Sequence, residues 1–279
     1  PGDDVILTID LAIQSLATEK LRDKKSAAAV VMDVNTGGII ALASVPGYDP
    51  NTFNSGLTRQ QWKAISSDPL APLTNKAISG LYAPGSTFKM IVAMAALEKE
   101  VVTPNQKIFC RGYIELGNAR FHCWKKHGHG LVDLNTALQQ SCDSYFYEMA
   151  QRVGIDRIAE MARRFGLGHL TGIDLPNERE GLMPTSSWKK KNLGVPWQKG
   201  ETLNAGIGQG FILTTPLQLA VMTSRLASGK AVKPHLIRGI STGGVMQNLK
   251  IPSPKNIKIS ADVRKLVMKG MEAVSNTPR

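Results

Sequence analysis

The stretch that most constrains this chain runs from Tyr82 to Leu97. Tyr82-Ala83-Pro84-Gly85-Ser86-Thr87-Phe88-Lys89 breaks at Pro84-Gly85 and then enters FKMIVAMAAL, a strong helix former with almost no polar content. A helix this apolar on every side is a buried one. Ser86 and Lys89 stand three residues apart at its start, hence on one face. The spacing predicts that the lysine amine reaches the serine hydroxyl, which is how a serine nucleophile acquires its own base. The plainer reading of the same residues is a helix-capping serine beside a snorkelling lysine.

The 279 residues suffice for one large domain or two lobes sharing a core. No apolar run approaches a membrane span. The abrupt Pro1-Gly2-Asp3-Asp4 start reads as a segment of something longer, so an anchor or leader is expected elsewhere. The net charge of +12 comes from dispersed lysines whose longest run is Lys189-Lys190-Lys191. No aromatic-basic pattern accompanies them, so nucleic acid is not an expected partner. A solvated basic surface or an anionic partner fits better.

Local patterns describe an α+β chain. Val5-Ile6-Leu7-Thr8-Ile9 reads as a strand, and Asp10 as the cap of a helix burying Ile13, Leu16, Ala17 and Leu21. Ala27 to Val34 reads as a central strand, turned at Asn35-Thr36-Gly37-Gly38 and returning over Ile39 to Ser44. Residues from about 88 to 165 form a mostly helical lobe. Gly181 to Gly200 reads as irregular, with Ser186/Lys189 and Ser187/Lys190 as solvated repeats of the S-x-x-K pattern. The glycines of Asn204-Ala205-Gly206-Ile207-Gly208-Gln209-Gly210 are expected to give close backbone packing near the cleft, since no P-loop Lys-Ser/Thr follows them. Ala261 to Val274 is an amphipathic helix with Val263, Leu266, Val267 and Met271 on one side.

S-x-[DN] occurs at Ser66/Asp68, Ser141/Asp143 and Ser260/Asp262. The first looks like a turn and the last like a helix cap. Ser141-Cys142-Asp143 lies between helical runs, where a loop projects both outer side chains toward a cleft, and a second serine there relays a proton. Taken together, PGSTFK, then SCD, then GIGQG with PLQLA resemble the transpeptidase domain of class B penicillin-binding proteins. LTIDLAIQ, AVVMDVNTGGIIALASVPGYDPN and TGIDLP extend the likeness from about Val5 to Arg238. WKKHGHG, the acidic S-x-D and YFYEMAQRVGIDRI are most similar to its elongation-type penicillin-binding protein 2 branch.

The resemblance implies a β-lactamase/D,D-peptidase-like fold, an antiparallel sheet flanked by helices plus a helical lobe, with residues 1–279 as a single transpeptidase domain. It makes Ser86 the nucleophile acylated by the D-Ala-D-Ala end of a peptidoglycan stem peptide and by β-lactams, and Lys89 its general base. Ser141 becomes the proton relay, and Asp143 stands where Asn is more usual. The expected reaction is serine D,D-transpeptidation. A D,D-carboxypeptidase, a serine β-lactamase and a non-catalytic β-lactam sensor are its rivals. The resemblance also implies a membrane-anchored periplasmic protein working with a SEDS-type glycosyltransferase. The family's third motif, Lys-Ser/Thr-Gly, occurs nowhere, and Ser241-Thr242-Gly243 lies too early for it. The chain is therefore expected to stop, at Thr277-Pro278-Arg279, before the C-terminal strands, and the fragment alone to be weak or inactive.

The cysteines are Cys110, Cys123 and Cys142. Their number is not that of a full disulfide framework, and with His129 they do not match a zinc-finger spacing. Three buried small residues, or a Cys110–Cys123 disulfide, fit the sequence as well. The resemblance implies zinc held by Cys110, Cys123, His129 and Cys142, a closed structural site tying the helical lobe to the Ser141 loop.

Overall fold

The computed structural model describes residues 2–54 and 56–276. Pro1, Ser55 and Thr277-Pro278-Arg279 lie outside the described residues. Strand β1 (Asp4–Leu7) leads into α1 (Leu11–Leu21), capped by Asp10, which accepts from the Ile13 N–H. β2 (Ala27–Met32) and β3 (Ile39–Val45) pair antiparallel across a turn in which the Asp33 carboxylate accepts from the N–H groups of Asn35 and Thr36. Three short helices follow, α2 (Asn51–Asn54), α3 (Arg59–Ser66) and α4 (Lys76–Ser79). A 3-10 turn, Gly85–Phe88, opens α5 (Lys89–Glu98). Next come β4 (Ile108–Cys110), β5 (Tyr113–Leu116), β6 (Ala119–His122) and β7 (Gly130–Val132). Helices α6 (Leu134–Gln139), α7 (Asp143–Val153) and α8 (Ile155–Arg164) complete the middle of the chain. The last part holds α9 (Ser186–Leu193), α10 (Lys199–Gly206), α11 (Pro216–Ser228), β8 (Ile237–Thr242), β9 (Val245–Asn248) and α12 (Ala261–Asn276).

Every strand ladder among the described residues is antiparallel: β1-β8-β9, β2-β3, β4-β7 and β5-β6. The first two sheets meet at one corner, where the Ile39 N–H donates to the His235 carbonyl and the Thr8 hydroxyl to the Ile39 carbonyl. The larger core forms around α5. Phe88, Ile91, Val92 and Met94 are fully buried with Tyr145, Phe146 and Met149 of α7, Ile158 and Met161 of α8, and Val267 of α12. Each buried side chain of this size contributes roughly 1.5–3 kcal/mol. No side chain caps the 3-10 start of α5, so packing holds the helix in place. α12 crosses α6 at Gly270, where a Cβ would fall 2.5 Å from Leu138 Cδ1.

Several local expectations change. No residue of α1 is buried, and Leu16 is 53% exposed. Within residues 2–276, the strands standing against α1 are β2 and β3. The Gln14 amide docks α1 on β3, accepting from the Leu42 N–H and donating to the Leu42 carbonyl. Among the described residues β2 pairs with β3 alone. The middle lobe carries four short strands, because turns at Arg111-Gly112 and Gly117-Asn118 fold residues 108–132 back on themselves. Residues 186–193 are helical, with Thr185 accepting from the Trp188 N–H at the start. Lys189 is buried there, ion-paired to Glu201 and donating to the Pro196 carbonyl, so it is no surface residue.

Candidate active site

Ser86 sits in the 3-10 turn with its side chain exposed to a cleft of about 890 Å³. Lys89, Trp124, Ser141 and Asp143 also line that cleft, and Met271 and Val274 of α12 contribute to its wall. Ser86 caps nothing, which leaves its hydroxyl available for chemistry. The turn is braced from behind by Gly208, whose carbonyl accepts from the Gly85 N–H at 3.0 Å. Gly208 has φ +70, and a Cβ there would lie 2.3 Å from the Gly85 carbonyl oxygen, so only glycine fits. This is the close backbone packing expected of the glycine-rich stretch.

Lys89 does not reach Ser86 directly. Its Nζ donates to Asp143 Oδ1 at 2.6 Å, to Ser141 Oγ at 2.9 Å and to the Ser141 carbonyl at 2.9 Å. Ser141 Oγ donates in turn to Ser86 Oγ at 2.8 Å. The carboxylate draws the ammonium deeper because a buried charge requires an opposite partner. Lys89 is 2% exposed, and its Nζ lies 5.7 Å from the centroid of the Phe146 ring. Asp143 opens α7, and its Oδ2 accepts from the Trp124 N–H at 2.8 Å. Ser141 has φ +52, a left-handed conformation uncommon outside glycine, which aims its hydroxyl into the space between Lys89 and Ser86. The result is an unbroken chain of hydrogen bonds, Lys89 to Ser141 to Ser86, with Asp143 as counter-ion.

Behind this loop, Cys110, Cys123, His129 and Cys142 place one donor atom each within 4.8 Å of one another. All three cysteines are buried and free, which removes the Cys110–Cys123 disulfide reading. His129 Nδ1 lies 3.6 Å from Cys110 Sγ and 3.5 Å from Cys123 Sγ, while its Nε2 is buried with no protein partner. A tetrahedral ion with sulfur at ~2.3 Å and nitrogen at ~2.05 Å separates those two atoms by about 3.5 Å, so His129 stands at the right distance from Cys110 and Cys123 to share a four-coordinate soft metal with them, and Cys142 is near enough to supply the fourth donor. The Cys142 thiol, with help from the N–H groups of Lys125, Ser144 and Asp143, holds Cys123 well below the usual thiol range against the opposing effect of burial. The same pairing, with burial, pushes Cys142 up. One sulfur is thus poised as a thiolate, the form that binds metal. His122 and His127 stand outside the cluster.

Sequence reasoning overlooked Trp124 and Gly208 as individual residues. A tryptophan in an otherwise polar loop, and glycines following a helix, were the available signals. Ser241-Thr242-Gly243 ends β8 and enters the turn to β9, away from the cleft lining.

The family model of the penicillin binding protein transpeptidase domain matches residues 27–279. The chain is 41% identical over 281 aligned residues to peptidoglycan D,D-transpeptidase MrdA of Escherichia coli K12, covering 99% of this chain and 44% of that protein. Among solved structures, Pseudomonas aeruginosa PBP2 in complex with WCK 5153 superposes with a TM-score of 0.91 at 37% identity, covering 100% of this chain and 63% of that one. Helicobacter pylori PBP2 in complex with MreC superposes at 0.88 with 33% identity, covering 98% and 49%.

Proposed function

Because the chain belongs to the penicillin-binding protein transpeptidase family, we propose that it carries the acyl-transfer centre of a peptidoglycan D,D-transpeptidase of the elongation type. The observation that carries this reading is the hydrogen-bonded chain from buried Lys89 through Ser141 to exposed Ser86. In the first half-reaction Ser86 Oγ attacks the carbonyl between the two terminal D-alanines of a stem peptide, and the C–N bond breaks. Catalysis requires Lys89 first to lose one proton to solvent, after which the hydrogen bonds reverse: the Ser86 proton passes to Ser141 Oγ as Ser141 passes its own to the Lys89 amine, and a proton returns by the same route to the departing D-Ala nitrogen. In the second half-reaction an amine of another stem peptide attacks the ester, gives up a proton along the same path and releases Ser86. Asp143 stabilises the lysine whenever it carries the proton. A β-lactam acylates Ser86 by ring opening and leaves no fragment to depart.

The test is intact mass after incubation of the natural full-length protein with benzylpenicillin. Wild type gains the mass of the whole β-lactam and Ser86→Ala gains none. A wild type without adduct overturns the reading.

We propose zinc as the occupant of the Cys110, Cys123, His129 and Cys142 cluster. Four protein donors fill a tetrahedron and leave no site for substrate, so the ion would be structural. It would fix Cys142, and with it the flanking Ser141 and Asp143. Metal analysis of protein purified without chelator should find one zinc per chain, lost in Cys110→Ser. Sub-stoichiometric zinc in the wild type overturns this.

The MreC complex of the H. pylori relative supports an MreC-like protein as a partner. A SEDS-type glycosyltransferase is proposed alongside it, with the whole protein anchored in the inner membrane and working in the periplasm. No helix among the described residues is long and apolar enough to cross a membrane.

A further inference from the structure

Trp124 combines two properties that seldom meet. Its side chain is 65% exposed on the rim of the cleft, yet the residue makes three hydrogen bonds, all to the segment that carries Ser141 and Asp143. Its backbone N–H donates to Asp143 Oδ2 at 2.8 Å. Its indole Nε1–H is shared between the Gln140 carbonyl at 3.0 Å and the Ser141 carbonyl at 3.1 Å. An indole N–H this close to solvent has water available as a partner, so its direction toward two main-chain oxygens calls for a reason.

The reason lies at Ser141. Its left-handed backbone, φ +52, is sparsely populated by residues with a side chain and persists only where the surroundings enforce it. Two donors meet on its carbonyl, Lys89 Nζ at 2.9 Å and the Trp124 indole. Rotation of that residue toward an ordinary conformation would break both bonds and swing Oγ away from Ser86 and Lys89 together. The indole is itself fixed by an edge-on contact with His129, ring centroids 5.3 Å apart at 68°.

We propose that Trp124 is a positioning residue for acyl transfer: its indole N–H pins the Ser141 carbonyl and so holds the Ser141 hydroxyl between Lys89 and Ser86. The inference rests on the acyl-transfer reading above.

The test uses the natural full-length protein with Trp124 replaced by 3-benzothienylalanine, which exchanges the indole N–H for sulfur and keeps the ring, and in parallel Trp124→Phe. A fluorescent penicillin gives the saturation constant and the limiting acylation rate separately, and melting temperature is measured alongside. The limiting rate should fall about 3- to 10-fold, as expected for one lost hydrogen bond, while the saturation constant holds and the melting temperature falls by no more than about 2 °C. In a Ser141→Ala background the same replacements should change the rate less than about twofold, since no hydroxyl remains to be aimed. An unchanged limiting rate, a loss confined to the saturation constant, an equal loss in both backgrounds, or a rate loss that tracks a lowered melting temperature overturns the inference. A wild-type protein that forms no adduct overturns the acyl-transfer reading instead, so the two failures are distinct.

Discussion

Asp143→Asn exchanges one oxygen for an NH2 group and tests the electrostatics of the cleft directly. Both carboxylate oxygens accept from donors, Oδ1 from Lys89 at 2.6 Å and Oδ2 from the Trp124 N–H at 2.8 Å. A carboxylate is all acceptor, whereas an amide has one accepting and one donating end. Whichever way the substituted amide turned, its NH2 would face either an ammonium or a backbone N–H. Losing a hydrogen bond to a charged group costs about 1.5–3 kcal/mol, and a buried donor left facing another donor costs about 1–3 kcal/mol. The two describe the same broken contact and overlap, so the expected loss is about 3 kcal/mol, at the low edge for removing one partner of a buried ion pair. At about 2.1 cal/mol/K per residue, the 279 residues unfold with an entropy of ~0.6 kcal/mol/K, so melting should drop by about 5 °C. The assay is thermal unfolding by circular dichroism at matched zinc content, with fluorescent-penicillin acylation on the same samples. A melting temperature within about 1 °C of wild type, with wild-type acylation, would refute the opposed-donor argument.

Other perturbations isolate other parts of the site. Gly208→Ala places a Cβ 2.3 Å from the Gly85 carbonyl and should cost about 1–3 kcal/mol while slowing acylation. The control Gly172→Ala, also at positive φ but with nothing within 4 Å, should carry a backbone penalty and leave acylation alone; equal acylation in the two variants would refute the bracing role of Gly208. Chelation of the proposed zinc should lower both melting temperature and acylation rate, restored by added zinc, and indifference of either to chelator would separate the cluster from the Ser141 loop. Asp133 caps α6, which leads into that loop. Burial raises its carboxyl, but the Thr136 N–H and hydroxyl outweigh this and hold it below the usual value. Its folded pKa is therefore depressed, so its contribution is full above the unfolded value near 4 and is lost as pH falls through the folded one. Asp133→Ala should cost about 1 kcal/mol at pH 7, with the gap shrinking below about pH 4; denaturation series at both ends of that range check it, and a constant gap rejects it.

Residue types and short spacings announced what depended on them. The apolar flank of Phe88–Leu97 marked the buried helix, and PGSTFK with SCD marked the residues that the fold gathers at the cleft. The route between them was hidden. An i,i+3 spacing places Ser86 and Lys89 on one face, but a buried carboxylate 54 positions away decides where the ammonium turns. The role of Trp124 was hidden for the same reason, since backbone N–H groups and shared indole bonds leave no trace in a side-chain pattern. Ile13 and Leu16 misled because periodicity reports which face is apolar and not what stands opposite it. Lys189 misled because its partner, Glu201, belongs to the next helix.

Ser141, Cys142 and Asp143 alternate in allegiance: the outer two serve the cleft and the middle one serves the sulfur cluster. On the acyl-transfer and zinc proposals above, that alternation restricts how the cleft can change under β-lactam selection. With the proposed zinc bound, a substitution that shifts this loop would also move Cys142, and with it Cys110, Cys123 and His129, which sit on separate strands and loops. Escape by remodelling this wall of the cleft thus requires concerted change at distant positions. The Met271 and Val274 wall, on α12, contributes no ligand to the cluster and lies outside that constraint.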